Sequence, residues 1–537
     1  MTPADLVVRA EMVHTMDSRH PSAMGVAVRH GRIIALARRQ DELDGLIGQH
    51  TTVLTEPGVV VLPAFIDTHN HLMGAARNTL GVGVSQARTI DEFVDLIRRQ
   101  ATKVSAGQWI VTAMDWHELR LAERRMPTAT ELDRASMQHP ILALRGGHNG
   151  VLNSAGLRLT GIDAGTPDIL GGFIARDATG RPTGWVHDAA LERVQRVVPP
   201  PAADAVAAGL TQASAHYAAR GIGTVRDPAV TPQGWRTYQQ TYAAGRLFVR
   251  SHVMIMSTPA AIEVAGSMDA YLDQLKSQGI RPGDGDAGLR LWGLKFVLDG
   301  GVEAAALRES YAERPDYYGE LLWDRAALID ALTVATRRGW PVGTHAFGDR
   351  AIALLLDAVR AVRDRIGSVP RGALVVEHGG LIGAHIAEAV DLGVHITVQQ
   401  PLLDGLAEAL VAEWGPDRVA DLFPLRELIN AGAWISAGSD HPVGPVDPLR
   451  AMHGMLTRKT PAGILGAGHI IDRTEALQLY TTAGAPLLGG LTGTLVPGAV
   501  ADLVGYPADP LTCPPEQLLL LSPVFTVVNG RLVHRSR

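Results

Sequence analysis

Cysteine is almost absent from the 537-residue chain, with Cys513 the single one. That excludes an intrachain disulfide framework and a cysteine-built zinc cluster. Any metal must therefore be held by histidine and carboxylate-type ligands. No apolar run reaches the roughly 18 residues of a transmembrane helix. Met1 to Asp5 has no basic segment leading into an apolar core, so a secretory signal is not expected and the cytoplasm is the default compartment. Neither charge sign dominates: 49 basic against 55 acidic residues, net −6, leave no electrostatic footprint for nucleic acid or an anionic membrane. Internal repeats, heptads and low-complexity tracts are also missing.

What remains is ordinary globular composition, 46% hydrophobic and 19% charged, which excludes wholesale disorder. The length is too great for one compact core, although α/β barrels often reach about 250 residues as one domain. Twenty histidines make their placement the next question.

Both ends read as short strands. Asp5–Arg9, Met24–Arg29, Arg32–Ala37, Thr51–Leu54 and Gly58–Leu62 lie at one end, with a turn at His30-Gly31. Asp502–Tyr506, Val524–Val528 and an Asn529-Gly530 hairpin signal lie at the other. One small sheet domain built from both termini is expected. The middle alternates apolar runs with amphipathic helical patterns, as parallel βα units do. Eight candidate strands, Val59–Asp67, Gly221–Asp227, Val249–Met256, Leu291–Val297, Pro341–His345, Ala373–His378, His395–Gln399 and Trp434–Asp440, favour a (β/α)8 TIM barrel. Helices are expected at Asp349–Arg363 and Leu425–Ala431. Ala106–Pro200 does not fit a single crossover: it holds strands of its own (Trp109–Met114, Ile141–Leu144), turns at Gly171-Gly172 and Gly180, and a closing Pro199-Pro200-Pro201. It is read as an insertion over the barrel mouth after the first barrel strand. The expected units are 1–58 with 485–537 as a composite β-sandwich, 59–105 with 201–484 as the barrel, and 106–200 as the insertion.

Polar residues at the C-terminal ends of barrel strands are catalytic suspects. The first strand ends in Asp67-Thr68-His69-Asn70-His71, and a period of two points His69 and His71 the same way, toward one metal. Lys295 interrupts an apolar strand, Trp292–Val297. A lysine there cannot stay charged and unpaired cheaply. It is either half of a buried salt bridge or a neutral amine that has taken up carbon dioxide to become a carbamate ligand. The fifth, sixth and eighth strands end in His345, His378 and Asp440. Each alone is ordinary; the joint pattern is not.

That pattern resembles the amidohydrolase superfamily, and more closely the amidohydrolase-3 family that includes N-substituted formamide deformylases. The resemblance covers nearly the whole chain. It runs through Leu62–His71, Gly147-His148-Asn149 with Asn153–Leu157, Gly172-Phe173-Ile174 before Gly180–Gly184, and Lys295 with Asp299-Gly300. It continues through His345–Arg350, Glu377-His378, Gln400-Pro401, Gly438-Ser439-Asp440 and Gly498–Leu503. Two stretches depart from it. His187 stands where the family usually has an acidic residue, and Gly300-Gly301-Val302-Glu303-Ala304 replaces a serine-containing version.

The resemblance implies a metal-dependent hydrolase of a C–N bond in a linear amide or N-substituted formamide. By it, His69 and His71 bind a first ion, His345 and His378 a second, and carbamylated Lys295 bridges them. Asp440 completes the first site, accepts the proton of the attacking water and returns it to the leaving nitrogen. Zinc is the first choice for an imidazole-and-oxygen set, with one or two ions, and manganese, iron or cobalt also fit. Candidate substrate contacts are Trp116, His117, Arg145, His148 and Trp185 in the insertion, with Tyr311 and Gln400 beyond it. Gly146-Gly147 lets backbone come close to a ligand beside His148. Trp116 and Trp185 serve equally well as core aromatics. A metal-dependent deaminase or cyclic-amide hydrolase on the same barrel is the alternative. A non-catalytic binding module is disfavoured, since all six metal positions are filled. The expected partner is a small-molecule substrate, with a homodimer left open.

Overall fold

The computed structural model describes residues 2–169, 172–490 and 492–536. Met1, at the amino end, and Gly171, of the Gly171-Gly172 turn, lie outside the described residues. Eight strands form a parallel barrel: β1 (Phe65–Asp67), β2 (Ile222–Val230), β3 (Arg250–Met256), β4 (Leu289–Val297), β5 (Val342–Ala346), β6 (Leu374–His378), β7 (His395–Val398) and β8 (Trp434–Ala437). They pair in sequence order from β1 to β8. Such strands are apolar along their length because helices cover one face and the barrel interior the other. Individual bonds bring β8 back to β1: Thr68 N donates to Ala437 O at 3.1 Å and Asp440 N to His69 O at 2.9 Å.

The stretch Val59–Asp67, expected as one barrel strand, is divided. Val60–Pro63 joins a separate sheet and only Phe65–Asp67 joins the barrel. Pro63 has no N–H to continue a ladder, and at Ala64 the backbone changes partners. Ala64 N donates to Asp502 O at 3.0 Å, and Phe65 N to Gly221 O at 2.9 Å.

The helices outside the barrel bury an apolar stripe. Asp349–Ile366 buries Ala351, Ile352, Leu355, Leu356, Ala358, Val359 and Val362, the three-to-four spacing of one helical face. The helix at Leu425–Asn430 also falls where its pattern predicts it.

The sheet built from both termini runs Arg531–Arg535, Phe525–Val528, Leu503–Tyr506, Val60–Pro63, Leu6–His14, Ser22–Arg29, Arg32–Ala37, with Thr52–Thr55 beside Leu6–His14. Val8, Val26, Leu54, Val61, Leu503 and Phe525 are in its core. Both predicted hairpin turns have two left-handed residues, His30 (φ 50°) with Gly31 (φ 74°) and Asn529 (φ 52°) with Gly530 (φ 73°), as two-residue turns between twisted strands require.

The insertion carries its own five-stranded sheet, in the order Gly172–Arg176, Pro182–Asp188, Asn149–Leu152, Ile141–Arg145, Ile110–Val111. Its core starts before residue 106, because Ile90, Phe93, Val94 and Ile97 of the helix Ile90–Ala101 pack with Ile110, Trp116 and Ile141.

Candidate active site

The six residues at the strand ends, His69, His71, Lys295, His345, His378 and Asp440, line one cavity of about 560 Å³ at the C-terminal mouth of the barrel. His69 sits two residues beyond β1, and His71 caps the helix Leu72–Asn78. Their Nε2 atoms lie 3.4 and 3.1 Å from Asp440 Oδ1. Ligand-capable atoms of His69, His378 and Asp440 come within 4.8 Å of one another, and the rings of His345 and His378 are 4.5 Å apart. His378 (φ 73°) and Asp440 (φ 54°) hold a left-handed backbone. Non-glycine residues pay about 1–3 kcal/mol for that conformation, which concentrates at functional sites.

Glycines make the convergence possible. A Cβ at Gly438 would stand 2.7 Å from the backbone N and O of His69, and one at Gly343 would stand 2.1 Å from Glu377 Oε1. The first lets the end of β8 close on β1, and the second leaves room inside the barrel for a glutamate side chain.

Four buried atoms of these six residues have no hydrogen-bond partner: His69 Nε2, Lys295 Nζ, His378 Nδ1 and Asp440 Oδ1. Buried polar atoms are normally satisfied, and three of the four belong to His69, His378 and Asp440, whose ligand-capable atoms cluster, so the group fits a cation. The protonation states agree. Burial would raise the Asp440 carboxyl, but His69, His71 and His378 outweigh it and hold it well below the carboxylate range. Burial drives His345 and His378 well below the usual imidazole value, so both are neutral and have lone pairs to give. Burial also pulls the Lys295 amine, 3% exposed, down to about 8. The expected alternative, a buried salt bridge at Lys295, is not formed among the described residues.

Around these atoms lies a set of buried carboxylates. Glu377 Oε2 accepts from His69 Nδ1 at 2.5 Å and from Thr397 Oγ1 at 2.8 Å, while Oε1 takes Arg226 Nη2 at 2.5 Å. Asp67 accepts from Ser439 N and Oγ at 3.0 and 2.6 Å; burial pushes its carboxyl up to about 6. Asp299 accepts from Phe347, Gly348 and Ala306 N and lies 3.4 Å from His345 Nε2. None of the three was singled out from the sequence. Glu377 and Asp67 stood beside named ligands, and their strand positions were the available signal.

The predicted substrate contacts divide. His148, Trp116, His117 and Arg145 line the cavity. Arg145 is paired by Glu118 (Nε to Oε2, 3.0 Å) and by Glu303, so it joins the insertion to the loop after β4. Burial takes His117 down to about 3. Three residues do not line it. Trp185 packs against the insertion core and donates from Nε1 to Asn149 Oδ1 at 2.8 Å. Tyr311 is buried and donates to Ala305 O at 3.0 Å. Gln400 Oε1 is buried and accepts from Arg458 Nη1 at 3.3 Å. His187, where the sequence departs from the family pattern, stands next to Asp188, whose Oδ1 lies 2.6 Å from His148 Nδ1 and Oδ2 3.0 Å from His187 Nδ1.

Imidazoles, a buried amine and a carboxylate gathered at the strand ends of an α/β barrel stand where enzymes of this fold carry their active sites. The chain belongs to the amidohydrolase family, whose model matches residues 57–534, and is a hydrolytic enzyme acting on C–N bonds. It is 30% identical to the N-substituted formamide deformylase of Arthrobacter pascens over 98% of each chain. It is 29% identical to Protein LONG AFTER FAR-RED 3 of Arabidopsis thaliana, over 93% of this chain and 87% of that one. An uncharacterized metal-dependent hydrolase from Pyrococcus horikoshii OT3 shares the fold, with a TM-score of 0.75 at 23% identity, over 95% of this chain and 99% of that one.

Proposed function

We propose that this enzyme hydrolyses the C–N bond of a linear amide or N-substituted formamide, using a divalent ion held by His69, His71, His345, His378, Asp440 and the Lys295 position. The observation that carries this reading is that four of these six residues bring a buried atom without a hydrogen-bond partner to one cavity. Zinc suits the imidazole-and-oxygen set best. A bound ion there would lower the pKa of its water to about 7 and polarise the scissile carbonyl.

The chain's own groups do the rest. Asp440, ionised at neutral pH, takes the proton of the attacking water and returns it to the leaving nitrogen as the C–N bond breaks. Products are a carboxylic acid and a free amine. Lys295 has more of its amine neutral than an exposed lysine, because its pKa is lowered to about 8. The neutral amine adds to carbon dioxide with loss of one proton, giving a carbamate whose oxygens serve as ligands; without it, the same residues hold a single ion.

The cavity supports the substrate class. A formyl or small acyl group fills little of its volume. Met73, Met114, Trp116, Val302, Leu402 and Leu406 are among the residues that line the rest, beside charged ones such as Arg77, Arg120 and Asp404, which suits an N-substituent that is largely apolar.

Asp440→Asn tests the reading on metal-replete enzyme with a panel of N-substituted formamides, amides and cyclic ureas. Asparagine keeps one coordinating oxygen but cannot hold water's proton. The variant should keep most of its metal while turnover falls by about 10²–10⁴. Ammonia, or one ring-opened product, from the parent enzyme would instead indicate a deaminase or cyclic-amide hydrolase.

A further inference from the structure

We propose that the insertion contributes a catalytic hydrogen-bond donor, His148, which holds the substrate's carbonyl oxygen and is positioned by Asp188. The proposal rests on the C–N hydrolase reading above and assigns one more residue to that reaction.

His148 stands beside the tight turn that joins Ile141–Arg145 to Asn149–Leu152. Gly146 in that turn has a left-handed backbone (φ 57°), which carries the loop over the barrel mouth. The ring reaches the loop after β4, where a Cβ on Gly301 would be 3.5 Å from His148 Cδ2, and its centroid lies 6.1 Å from that of His345. The side chain is 36% exposed and lines the cavity.

Three contacts fix its orientation. Asp188 Oδ1 accepts from His148 Nδ1 at 2.6 Å, Asp188 Oδ2 takes His187 Nδ1 at 3.0 Å, and Asp188 N donates to His148 O at 2.9 Å. Asp188 is itself held in a left-handed backbone (φ 47°), a costly conformation for a residue with no role. With Nδ1 committed to Asp188, Nε2 is the atom left for the cavity. The 2.6 Å Nδ1–Asp188 contact is that of a charge-assisted imidazolium–carboxylate pair. Burial disfavours the charged ring, but the carboxylate outweighs it and raises the His148 pKa, and in the charged ring Nε2 is a donor as well.

The carbonyl oxygen is the group this donor meets. Asp440 serves both the attacking water and the leaving nitrogen, so both lie on the His71–Asp440 side. The rings of His71, His69, His378, His345 and His148 follow one another with centroids 5.5, 4.6, 4.5 and 6.1 Å apart, and the third substituent that changes in the reaction then projects toward the His148 end of that row. As the water oxygen bonds to the carbonyl carbon, its proton passes to Asp440 and the C=O π pair moves onto the oxygen, which accepts from His148 Nε2. The oxygen pair then re-forms C=O, the C–N pair leaves with nitrogen, and Asp440 returns the proton to it. Acid and amine result, with no other reactant.

The test compares parent, His148→Ala, His148→Gln and Asp188→Asn as metal-replete enzymes on whichever N-substituted formamide of the panel the parent turns over. Metal content and thermal midpoint are measured alongside. Loss of one oxyanion donor typically costs about 10²–10³ in kcat. His148→Ala should fall by that factor with KM little changed and metal content intact. His148→Gln, which keeps an N–H at similar reach, should recover at least tenfold of it, and Asp188→Asn should lie between. A folded, metal-loaded His148→Ala with parental kcat, or with only KM raised, overturns the proposal. So does a glutamine variant no better than alanine. If the parent itself turns over no member of the panel, it is the C–N hydrolase reading that fails.

Discussion

His69 Nδ1 lies 2.5 Å from Glu377 Oε2, and both side chains are essentially without solvent exposure. The ionised carboxylate accepts a hydrogen bond from Nδ1, which places the ring's proton there and turns the bare Nε2 to Asp440 and the cavity. Arg226, itself stacked 4.6 Å over the Trp292 ring, fixes the glutamate from the other side. A histidine ligand oriented by a carboxylate is a common device for holding a metal firmly.

Glu377→Gln should therefore weaken metal binding by about 10–100-fold, the usual cost of losing such a support. Competition against a chromophoric chelator measures it. An unchanged affinity would mean that Glu377 serves the barrel interior alone.

Glu377 also makes an acid-stability prediction. Burial would raise its pKa, but Arg226 and His69 outweigh that and hold it well below its usual range. A depressed carboxylate contributes stability that is complete above its unfolded pKa, about 4.3, and is lost as pH falls toward the folded value. In metal-free protein, the difference in thermal midpoint between parent and Glu377→Gln should shrink as pH drops from 6 to 3. A difference that stays constant over that range contradicts the assignment.

Lys295→Ala should abolish turnover, and short carboxylates such as acetate or propionate should restore part of it by standing in for the carbamate. No rescue at any concentration, with metal still bound, would favour the free amine and a single ion.

Tyr311→Phe tests whether Tyr311, placed outside the cavity lining, contacts substrate. Its hydroxyl donates to Ala305 O and does not face the cavity. The variant should lose about 0.5–1.5 kcal/mol of stability, the worth of one hydrogen bond, with kcat and KM near parental values. A large KM change would put Tyr311 back among the substrate contacts.

Much of the barrel was legible because each strand is an apolar run ending in a polar residue, and a chemistry-bearing side chain breaks such a run visibly. Lys295 is the clearest case: within Leu289–Val297, only it and Arg290 are charged. Trp185, Tyr311 and Gln400 lie outside the cavity lining, which sequence does not reveal, because it shows that an aromatic or amide is present but not which face carries it. The roles of Glu377, Asp67 and Asp188 were hidden for another reason. Their partners, His69, Ser439 and His148, lie 308, 372 and 40 residues away, and only the closed barrel and the folded insertion bring them together. The division of Val59–Asp67 turns on Pro63 and on the strand Leu503–Tyr506 some 440 residues later, a partner no local pattern announces.

Metal content tests the account most directly. Protein purified without chelators, analysed for transition metals by mass spectrometry, should carry roughly one to two equivalents, mostly zinc, as the ligand set implies. The double variant His69→Ala/His71→Ala should carry less, and chelation should remove activity that added metal restores. Native protein without metal, hydrolysing its substrate at a rate indifferent to chelators, would contradict the account at its root.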